Sequence, residues 1–432
     1  MHSDDFSTYK NDPALVALSK LTSESLRSVL SKNIDTSLLD TNIENYSVCN
    51  LRYKPQKKMI LSLTATGSQR PISIRIFPSG ELKSRLRSAQ RHNPKHVFSL
   101  PELDGLAWIF PGERKLQLGV VSDFQTLKEL LQRNRGFEMN YLQLKRFVPE
   151  HTYTAIIDGR YGNESPVTEY LKLHYNNTGC HTALMMREVA DQLSRQRKQS
   201  LTIETPLRIG YLPAHRLLMQ SALRRAEAQS LNDANIARAL AQLHGLKLSK
   251  PGAIAPLLPE QVKQDLNELL DTTYPHKKAR INDIWKTIQQ QLVSTALPDK
   301  SHLVPVHGDV HLGNFFPLQN GNLGIIDFDS MKLDKPETDL CGFYGFKLWL
   351  ALRNKESISD TLSQFPEFIS NYNSHAKQPV FLKRAYLVLA EKVISERIRR
   401  GLARGKLSGE VELIEFMSLA EQCLSAAEDA PA

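Results

Sequence analysis

Short strand-like segments fill the first half of this sequence and helix-forming segments fill the second half, and this separation limits the fold more than any other feature. Apolar and β-branched residues alternate over short runs within 46–78 and again within 142–175, whereas beyond residue 232 the apolar residues recur at helical spacing. Strands and helices that occupy separate parts of a chain are typical of the α+β class. We therefore predict an α+β protein with two lobes, a β-rich N-lobe followed by a helical C-lobe.

The strand-rich part contains the same plan twice: three strand-like runs, a helix and two further strands. The motif Arg52-Tyr53-Lys54-Pro55 aligns with Arg146-Phe147-Val148-Pro149 at an offset of 94 residues, and Ile74-Arg75-Ile76 aligns with Leu171-Lys172-Leu173 at an offset of 97. An internal duplication of about 95 residues explains both offsets; the alternative is that any two antiparallel meanders look alike. The predicted domains are an N-terminal module that is a degenerate duplicate of the N-lobe (1–140), the N-lobe (141–223) and the C-lobe (224–432).

Apolar spacing and turn residues place the individual elements. The predicted helices are one or two within 10–32, then 81–91, 183–196, 233–245, 259–271, 278–294, 341–353, 357–374, 380–404 and 410–426. Outside the two meanders, the predicted strands are two within 106–121 and one each at 207–211 and 216–222.

Composition excludes several classes of protein. The four cysteines lie far apart among 432 residues, which excludes a disulfide scaffold and a zinc ribbon. No run approaches the 18 apolar residues of a membrane span, and MHSDDFSTYK lacks the apolar segment of a secretory signal, so we expect a cytoplasmic protein without a membrane partner. The net charge of +9 is dispersed without aromatic interleaving, which argues against a nucleic-acid partner and suits an anionic small molecule.

The residues that carry chemistry lie in two neighbouring segments. The first is His307-Gly308-Asp309-Val310-His311-Leu312-Gly313-Asn314, and the second is Gly324-Ile325-Ile326-Asp327-Phe328-Asp329. Two strand-like runs, 303–306 and 323–326, each deliver an aspartate at their end, so Asp309, Asn314 and Asp327 are expected to meet in one small volume. Carboxylate and amide oxygens are ligands that Mg²⁺ prefers, and one aspartate remains free to accept a proton from a hydroxyl.

The spacing of Asp309 and Asn314 is that of the kinase catalytic loop, and the aspartate after the next strand corresponds to the metal-binding Asp of kinases. With its H-G-D and I-D-F-D letters, the sequence resembles the aminoglycoside phosphotransferase and choline kinase family. This resemblance implies a bilobal protein-kinase-like fold and a small-molecule kinase that uses ATP, or alternatively GTP, with Mg²⁺. It further implies Asp309 as the catalytic base and Asn314 and Asp327 as Mg²⁺ ligands.

The same resemblance gives four residues a supporting role. His307 and His311 are expected to brace the loop by hydrogen bonds rather than to act directly. Asp329 stands where protein kinases have glycine, and it either touches a second metal ion or bonds the catalytic loop. Asp339 is expected to anchor the loop from the following helix.

The nucleotide side requires a strand lysine and a helix glutamate that pairs with it. Lys172 in TEYLKLHY and Glu188 in MMREVADQL meet this requirement, although a single strand lysine is alternatively a solvated edge charge. The strand LLMQSAL resembles the hinge that binds adenine, near Gln220 and Ala222. The turn FVPEHT contains no glycine, so a glycine-rich phosphate loop is absent.

The first copy has Arg75 where the second has Lys172, so we expect it to bind no nucleotide. It loosely resembles the extra N-terminal cap of maltokinases, and it is the candidate surface for oligomer formation. In the C-lobe, Arg397, Arg400 and Arg404 share a face at helical spacing. That face either binds a phosphate or carboxylate of the acceptor or is a solvated helix end.

We expect the acceptor to be a sugar or sugar-like metabolite. The alternatives are an aminoglycoside-modifying phosphotransferase and a non-catalytic nucleotide-binding regulatory protein. A protein kinase is disfavoured because only about ten residues separate Asp329 from Asp339, too few for the activation segment that a kinase holds there.

Overall fold

The computed structural model describes residues 6–91, 95–195, 203–226, 231–249, 258–295, 303–407 and 409–431. Its strands are β1 (Ser47–Lys54), β2 (Lys58–Thr64), β3 (Ile72–Ile76), β4 (Val97–Leu100), β5 (Gly105–Ile109), β6 (Phe137–Val148), β7 (Thr152–Tyr161), β8 (Val167–His174), β9 (Ile203–Glu204), β10 (Gly210–Leu212), β11 (Leu217–Ser221), β12 (Val304–Val306), β13 (Phe315–Pro317), β14 (Leu323–Ile325) and β15 (Lys332–Asp334).

The helices include two of only four residues and one π-helical segment, Val393–Arg399. They are α1 (Ser23–Asn33), α2 (Leu82–Gln90), α3 (Gly119–Ser122), α4 (Phe124–Arg135), α5 (Thr178–Arg195), α6 (Asp233–His244), α7 (Pro259–Thr273), α8 (Lys278–Ser294), α9 (Glu337–Arg353), α10 (Ile358–Ser363), α11 (Phe365–Asn373), α12 (Leu382–Lys392), α13 (Arg400–Ala403) and α14 (Glu410–Asp429). No helix in these ranges is both long enough and apolar enough to span a bilayer.

Two five-stranded antiparallel sheets have the same topology. The strand order is β1-β2-β3-β5-β4 in the first sheet and β6-β7-β8-β11-β10 in the second, with a helix after the third strand of each. This shared order supports the duplication proposed from the sequence. Several elements differ from the prediction: helix α4 was not predicted, and the helix predicted over 357–374 is two helices, α10 and α11. The segment 106–121 contains a single strand, β5, because Pro111 and Gly112 interrupt the chain after it. The other strand of that pair, β4, precedes β5.

The hydrophobic cores divide the chain differently from the predicted domains. Apolar side chains of the first sheet belong to one continuous core with the C-lobe helices, whereas the second sheet has a core of its own. Leu127 and Leu131 of α4 pack in this second core with Ile157. The packing therefore favours a boundary near residue 110, with α3 and α4 as part of the N-lobe, over the predicted boundary at 140.

The N-terminal module is also fixed to the C-lobe by buried hydrogen bonds. The Tyr9 hydroxyl donates to the carbonyl of Leu402 at 2.6 Å, and the Tyr53 hydroxyl lies 2.9 Å from Thr272 Oγ1 of α7. Tyr53 also donates to Asp12 at 2.6 Å. Each of these polar groups is thereby satisfied within a largely apolar interface.

The C-lobe contains a small β-region that carries the two chemical segments. β12 pairs with β15, and β13 pairs with β14, which runs parallel to β9 from the N-lobe side. The loop from β12 to β13 and the segment after β14 therefore lie side by side. Helix α6, which begins at the Asn232 cap, packs beneath them with β12.

Candidate active site

The catalytic-loop aspartate, Asp309, is accessible. Its side chain is 47% exposed, and among the described residues the basic side chain within 4.0 Å of it is His311, whose Nε2 lies at 3.9 Å. Burial lowers the pKa of His311, which opposes a positive charge beside Asp309. Gly308 before it has φ +80°, and a Cβ there would lie 2.5 Å from the carbonyl oxygen of Ser330. Only glycine fits this close approach, which aligns the loop with the segment after β14.

Buried hydrogen bonds hold the loop from below. The backbone amides of His307 and Gly308 donate to the Asp339 carboxylate at 2.6 and 2.8 Å, and His244 Nε2 lies 3.1 Å from the same group. Burial opposes ionisation of Asp339, but His244, His307 and the amide of Gly308 lower its pKa overall. These contacts support the predicted anchoring role of Asp339.

His307 joins the catalytic loop to the strand that leads to Asp327. Its Nε2 lies 2.8 Å from the carbonyl of Ile326, which can only accept, so Nε2 carries the proton. Its Nδ1 then accepts from the amide of Asp309 at 3.4 Å. The ring is fully buried between Phe315 and Phe328, which supports a bracing role.

Asn314 ties the same two segments together. Its side-chain Nδ2 donates to the backbone carbonyl of Asp309 at 3.0 Å, and its backbone carbonyl accepts from the amide of Ile326 at 3.0 Å. Because the side-chain nitrogen is used, the side-chain oxygen is the atom that can face a cation. Asp327 follows in the left-handed region, at φ 66°, which aspartate tolerates better than most residues.

Lys172 of β8 reaches this site from the N-lobe. Its Nζ lies 2.7 Å from Asp327 and 2.5 Å from Asp329. Burial acts to lower the pKa of Lys172, but the two carboxylates outweigh it and raise the pKa. Asp329 also accepts from Thr182 Oγ1 at 3.0 Å and lies 3.4 Å from His174 Nε2. The lysine is therefore charged and held between two carboxylates.

Glu188 does not form the expected pair with Lys172 in this structure. Its carboxylate instead accepts from the amide and hydroxyl of Ser249 at 2.6 and 3.1 Å. Thr182 is the α5 residue that faces the site, and six residues further on an α-helix is rotated by about 240° from it. The apolar periodicity of α5 already marked the Thr182 side as buried; that signal, and the alternation that places His174 beside Lys172, were available in the sequence.

The predicted adenine-binding hinge is only partly free. Gln220 pairs with Tyr170 across β11 and β8. The amide of Ala222 donates to the carbonyl of Thr168 at 3.0 Å, so it is already used within the sheet. This amide is therefore occupied in the structure, and the binding of adenine near Gln220 and Ala222 stays a prediction.

The β6–β7 turn lacks glycine and is held by charge instead. Glu150, at φ 60° and 8% exposed, forms an ion pair with Arg75 of the N-terminal module and lies 3.2 Å from Arg114 and 3.6 Å from Lys58. Burial acts to raise the pKa of Glu150, but these cations lower it overall. Arg75, which occupies in the first copy the position of Lys172 in the second, thus secures the turn of the second copy.

The oxygen atoms of this site suit a magnesium ion that is bound partly by protein side chains and partly by phosphate oxygens. Asn314 and Asp327 offer hard oxygen atoms on adjacent loops, as Mg²⁺ requires. Among the described residues no group of three or more His, Cys, Asp and Glu side chains could hold a metal alone. The residues of this chain therefore suit a metal ion with two protein ligands, whose other coordination positions are filled by phosphate oxygens and water.

Comparison with known proteins identifies the central segment. Residues 183–362 match the sequence model of the phosphotransferase enzyme family. This segment is similar to members of that family. The predicted resemblance is confirmed, and with it the α+β class and the assignment as a phosphotransferase enzyme. The match begins within α5, so Lys172 lies outside it.

Solved phosphotransferases have a similar course of the chain at low identity. A spectinomycin phosphotransferase in complex with ADP and spectinomycin has a TM-score of 0.47 at 16% identity, covering 70% of this chain and 97% of its own. An amicoumacin kinase has a TM-score of 0.47 at 15% identity, and the match covers 72% of this chain and 96% of that kinase. A choline kinase of Streptococcus pneumoniae has a TM-score of 0.42 at 12% identity, and the match covers 70% of this chain and 98% of that kinase. No curated protein sequence matches the chain.

Proposed function

We propose that this protein transfers the γ-phosphoryl group of ATP to a hydroxyl of a small molecule, with Mg²⁺ as cofactor. The observation that carries the proposal is the convergence of Asp309, Asn314 and Asp327 on two hydrogen-bonded segments, with Lys172 reaching them from the other lobe. This is the set of groups that phosphoryl transfer needs: a proton acceptor, oxygen ligands for the metal and a cation for the phosphates.

In the proposed reaction, the acceptor oxygen forms a bond to the γ-phosphorus while the bond from that phosphorus to the β,γ-bridging oxygen breaks. Asp309 takes the proton of the attacking hydroxyl, and ADP leaves. Lys172 binds the phosphates, and Asp327 and Asn314 would hold the metal ion. A bound Mg²⁺ would neutralise charge on the phosphates. The half-exposed position of Asp309 suits its role, because a base must lie within hydrogen-bond reach of the hydroxyl.

For the acceptor we propose a sugar or sugar-like metabolite. Two half-buried aromatic rings, Phe346 and Trp349 of α9, lie 5.4 Å apart beside the catalytic loop, and Phe346 is 5.5 Å from His311. Such an aromatic surface next to polar groups suits the apolar face of a ring with hydroxyls at its edge.

The test is a screen of sugars, amino alcohols and aminoglycosides for Mg²⁺-dependent ADP release. Asp309→Asn should lower the rate by about 10³-fold or more while ATP binding is retained, because only the proton acceptor is lost. Asp283→Asn, an exposed aspartate on α8, is the matched control and should leave the rate unchanged. Near-normal turnover in Asp309→Asn would refute its role as base. ATP binding without ADP release for any acceptor would favour the regulatory alternative, and turnover restricted to aminoglycosides would replace the sugar proposal.

A further inference from the structure

Five cationic side chains from three distant parts of the sequence lie close enough to interact electrostatically, and three of them, in the C-lobe, also interact with Asp309. They come from β1 in the N-terminal module, from β6 in the N-lobe, and from the π-helical segment and the turn after α13 in the C-lobe. We call them the basic cluster: Arg52, Arg146, Arg397, Arg404 and Lys406.

Backbone packing brings the first and last parts of the chain together. A Cβ on Gly405 would lie 3.3 Å from the Leu51 side chain, so the turn that carries Arg404 and Lys406 sits against the strand that carries Arg52. The carbonyl of Lys406 also accepts from Arg353 Nη2 at 2.7 Å, which fixes the turn to α9. The cluster is therefore built by tertiary contacts and not by one helix face.

Arg397 connects the cluster to the catalytic loop. Its Nη2 donates to the carbonyl of Gly342 at 3.3 Å, and its guanidinium lies 5.7 Å from the centre of the Phe346 ring, which contacts His311. The π-helical segment changes the helix phase, so that Arg399 binds Asp265 at 3.0 Å while Arg397 faces α9. Single π-helical turns within longer helices are frequent at functional sites.

The five cations form no close ion pairs with other described residues, although Glu396 acts on Arg397 and Glu150 acts on Arg52 from a greater distance. Within the described ranges, none of them has a carboxylate within 4.0 Å, whereas the neighbours Arg399 and Arg400 both do. Partial burial and the neighbouring positive charges of Arg400, Arg52 and Arg146 lower the pKa of Arg404 to about 10. The nearby carboxylate that opposes this effect is Asp309. Like charges held together at a cost in free energy indicate a site for an anion.

We propose that the acceptor carries a phosphate or carboxylate group that the basic cluster binds while the acceptor's hydroxyl meets Asp309. Guanidinium groups bind such anions through paired, charge-assisted hydrogen bonds. This inference rests on the proposed function, since it names the class of acceptor for the same site. It also gives the N-terminal module a role in acceptor binding, because that module contributes Arg52 to the cluster.

The test compares matched acceptors: glucose, ribose and glycerol, each against its monophosphate, and glucose against glucuronate. ADP release is measured with Mg²⁺ and ATP, and binding without ATP is measured by calorimetry at two salt concentrations. We expect the anionic member of a pair to have at least a tenfold lower KM than the neutral one. The monophosphates and glucuronate separate a phosphate site from a carboxylate site.

The variants Arg146→Gln and Arg404→Gln should raise the KM for the anionic acceptor at least tenfold and leave the KM for ATP within twofold. Arg399→Gln, whose side chain is already paired, is the matched control. Equal use of neutral and anionic acceptors, or a KM that these variants do not change, would overturn the anionic-acceptor proposal while leaving the phosphotransferase proposal intact. Binding of a monophosphate that Arg404→Gln abolishes, without any ADP release, would support the cluster and overturn the phosphotransfer. A raised KM for ATP alone would assign the cluster to the nucleotide and overturn the inference.

Discussion

Two glycines with the same backbone conformation show what individual residues contribute to the site. Gly308 has φ +80° and Gly321 has φ +83°. At Gly308 a side chain would meet the Ser330 carbonyl oxygen, whereas at Gly321, in the turn between β13 and β14, nothing lies within 4 Å. The strain of a positive φ is therefore common to both positions, and the close approach belongs to Gly308 alone.

Gly308→Ala should accordingly lose more than Gly321→Ala. The shared strain costs about 1 kcal/mol of unfolding free energy. We expect Gly321→Ala to lose about that much and to keep its ADP release, and Gly308→Ala to lose clearly more stability and most of its activity because the catalytic loop must move. Denaturant unfolding and ADP release measure both. Equal effects of the two substitutions would show that the contact with Ser330 is unimportant.

Helix α5 shows how the phase of an element decides which residue enters the site. It turns Thr182 toward Asp329, while Glu188 contacts Ser249 outside the site. Lys172 is consequently held by the two aspartates of the I-D-F-D segment. The structure thus assigns to Asp329 the pairing that the sequence assigned to Glu188.

Because Lys172 pairs with Asp329 and not with Glu188, we expect substitution of Asp329 to lower activity much more than substitution of Glu188. Asp329→Asn should lower kcat/KM for ATP by about 10- to 100-fold, because a charged partner of the buried lysine is lost. Glu188→Gln should stay within about twofold to threefold of the unmodified protein. Steady-state kinetics with varied ATP measures both, and a large loss in Glu188→Gln with little change in Asp329→Asn would contradict this arrangement.

At the scale of the whole molecule, the N-terminal module joins the two lobes. It meets the C-lobe through Tyr9 and Tyr53, and it meets the N-lobe through Arg75 and Lys58, which bind Glu150. Glu150 lies in the turn over the proposed nucleotide site. His151, the next residue, adds no positive charge to this turn near pH 7, because burial and the neighbouring Arg52 lower its pKa to about 4. The module therefore fixes the position of that turn relative to the C-lobe.

The ion pairs of Glu150 predict a pH dependence of stability. Its pKa lies below the ordinary value of 4.5, so the stability that it contributes is present above pH 4.5 and is lost as the pH falls below that value. Glu150→Gln should cost about 3 kcal/mol of unfolding free energy at pH 7, because Arg75 loses a buried partner. Its unfolding free energy should also fall less steeply than that of the unmodified protein on acidification.

Unfolding measured from pH 7 down to about pH 2.5, which covers the range in which Glu150 takes up its proton, tests this expectation. Glu164→Gln is the control, because Glu164 forms an exposed pair with Arg208, and exposed pairs contribute little. Parallel pH curves for Glu150→Gln and the unmodified protein would show that the pairing contributes nothing to acid sensitivity.

The sequence by itself determined the two-lobed α+β class, the meanders and the segments that carry Asp309, Asn314 and Asp327. These follow from local information, because apolar spacing defines elements, and residues a few positions apart on one loop remain neighbours in any fold. The family match to residues 183–362 confirms the assignment that this local motif indicated.

Only the tertiary structure decided the partner of Lys172, the attachment of Glu150 to Arg75 and the assembly of the basic cluster. Arg52 and Arg404 are 352 residues apart in sequence, and the turn at Gly405 meets Leu51 only after the N-terminal module has packed on the C-lobe. The rotation of α5 likewise depends on which of its faces its neighbours bury. Long-range packing fixes these contacts, and the local spacing of residues carries no record of it.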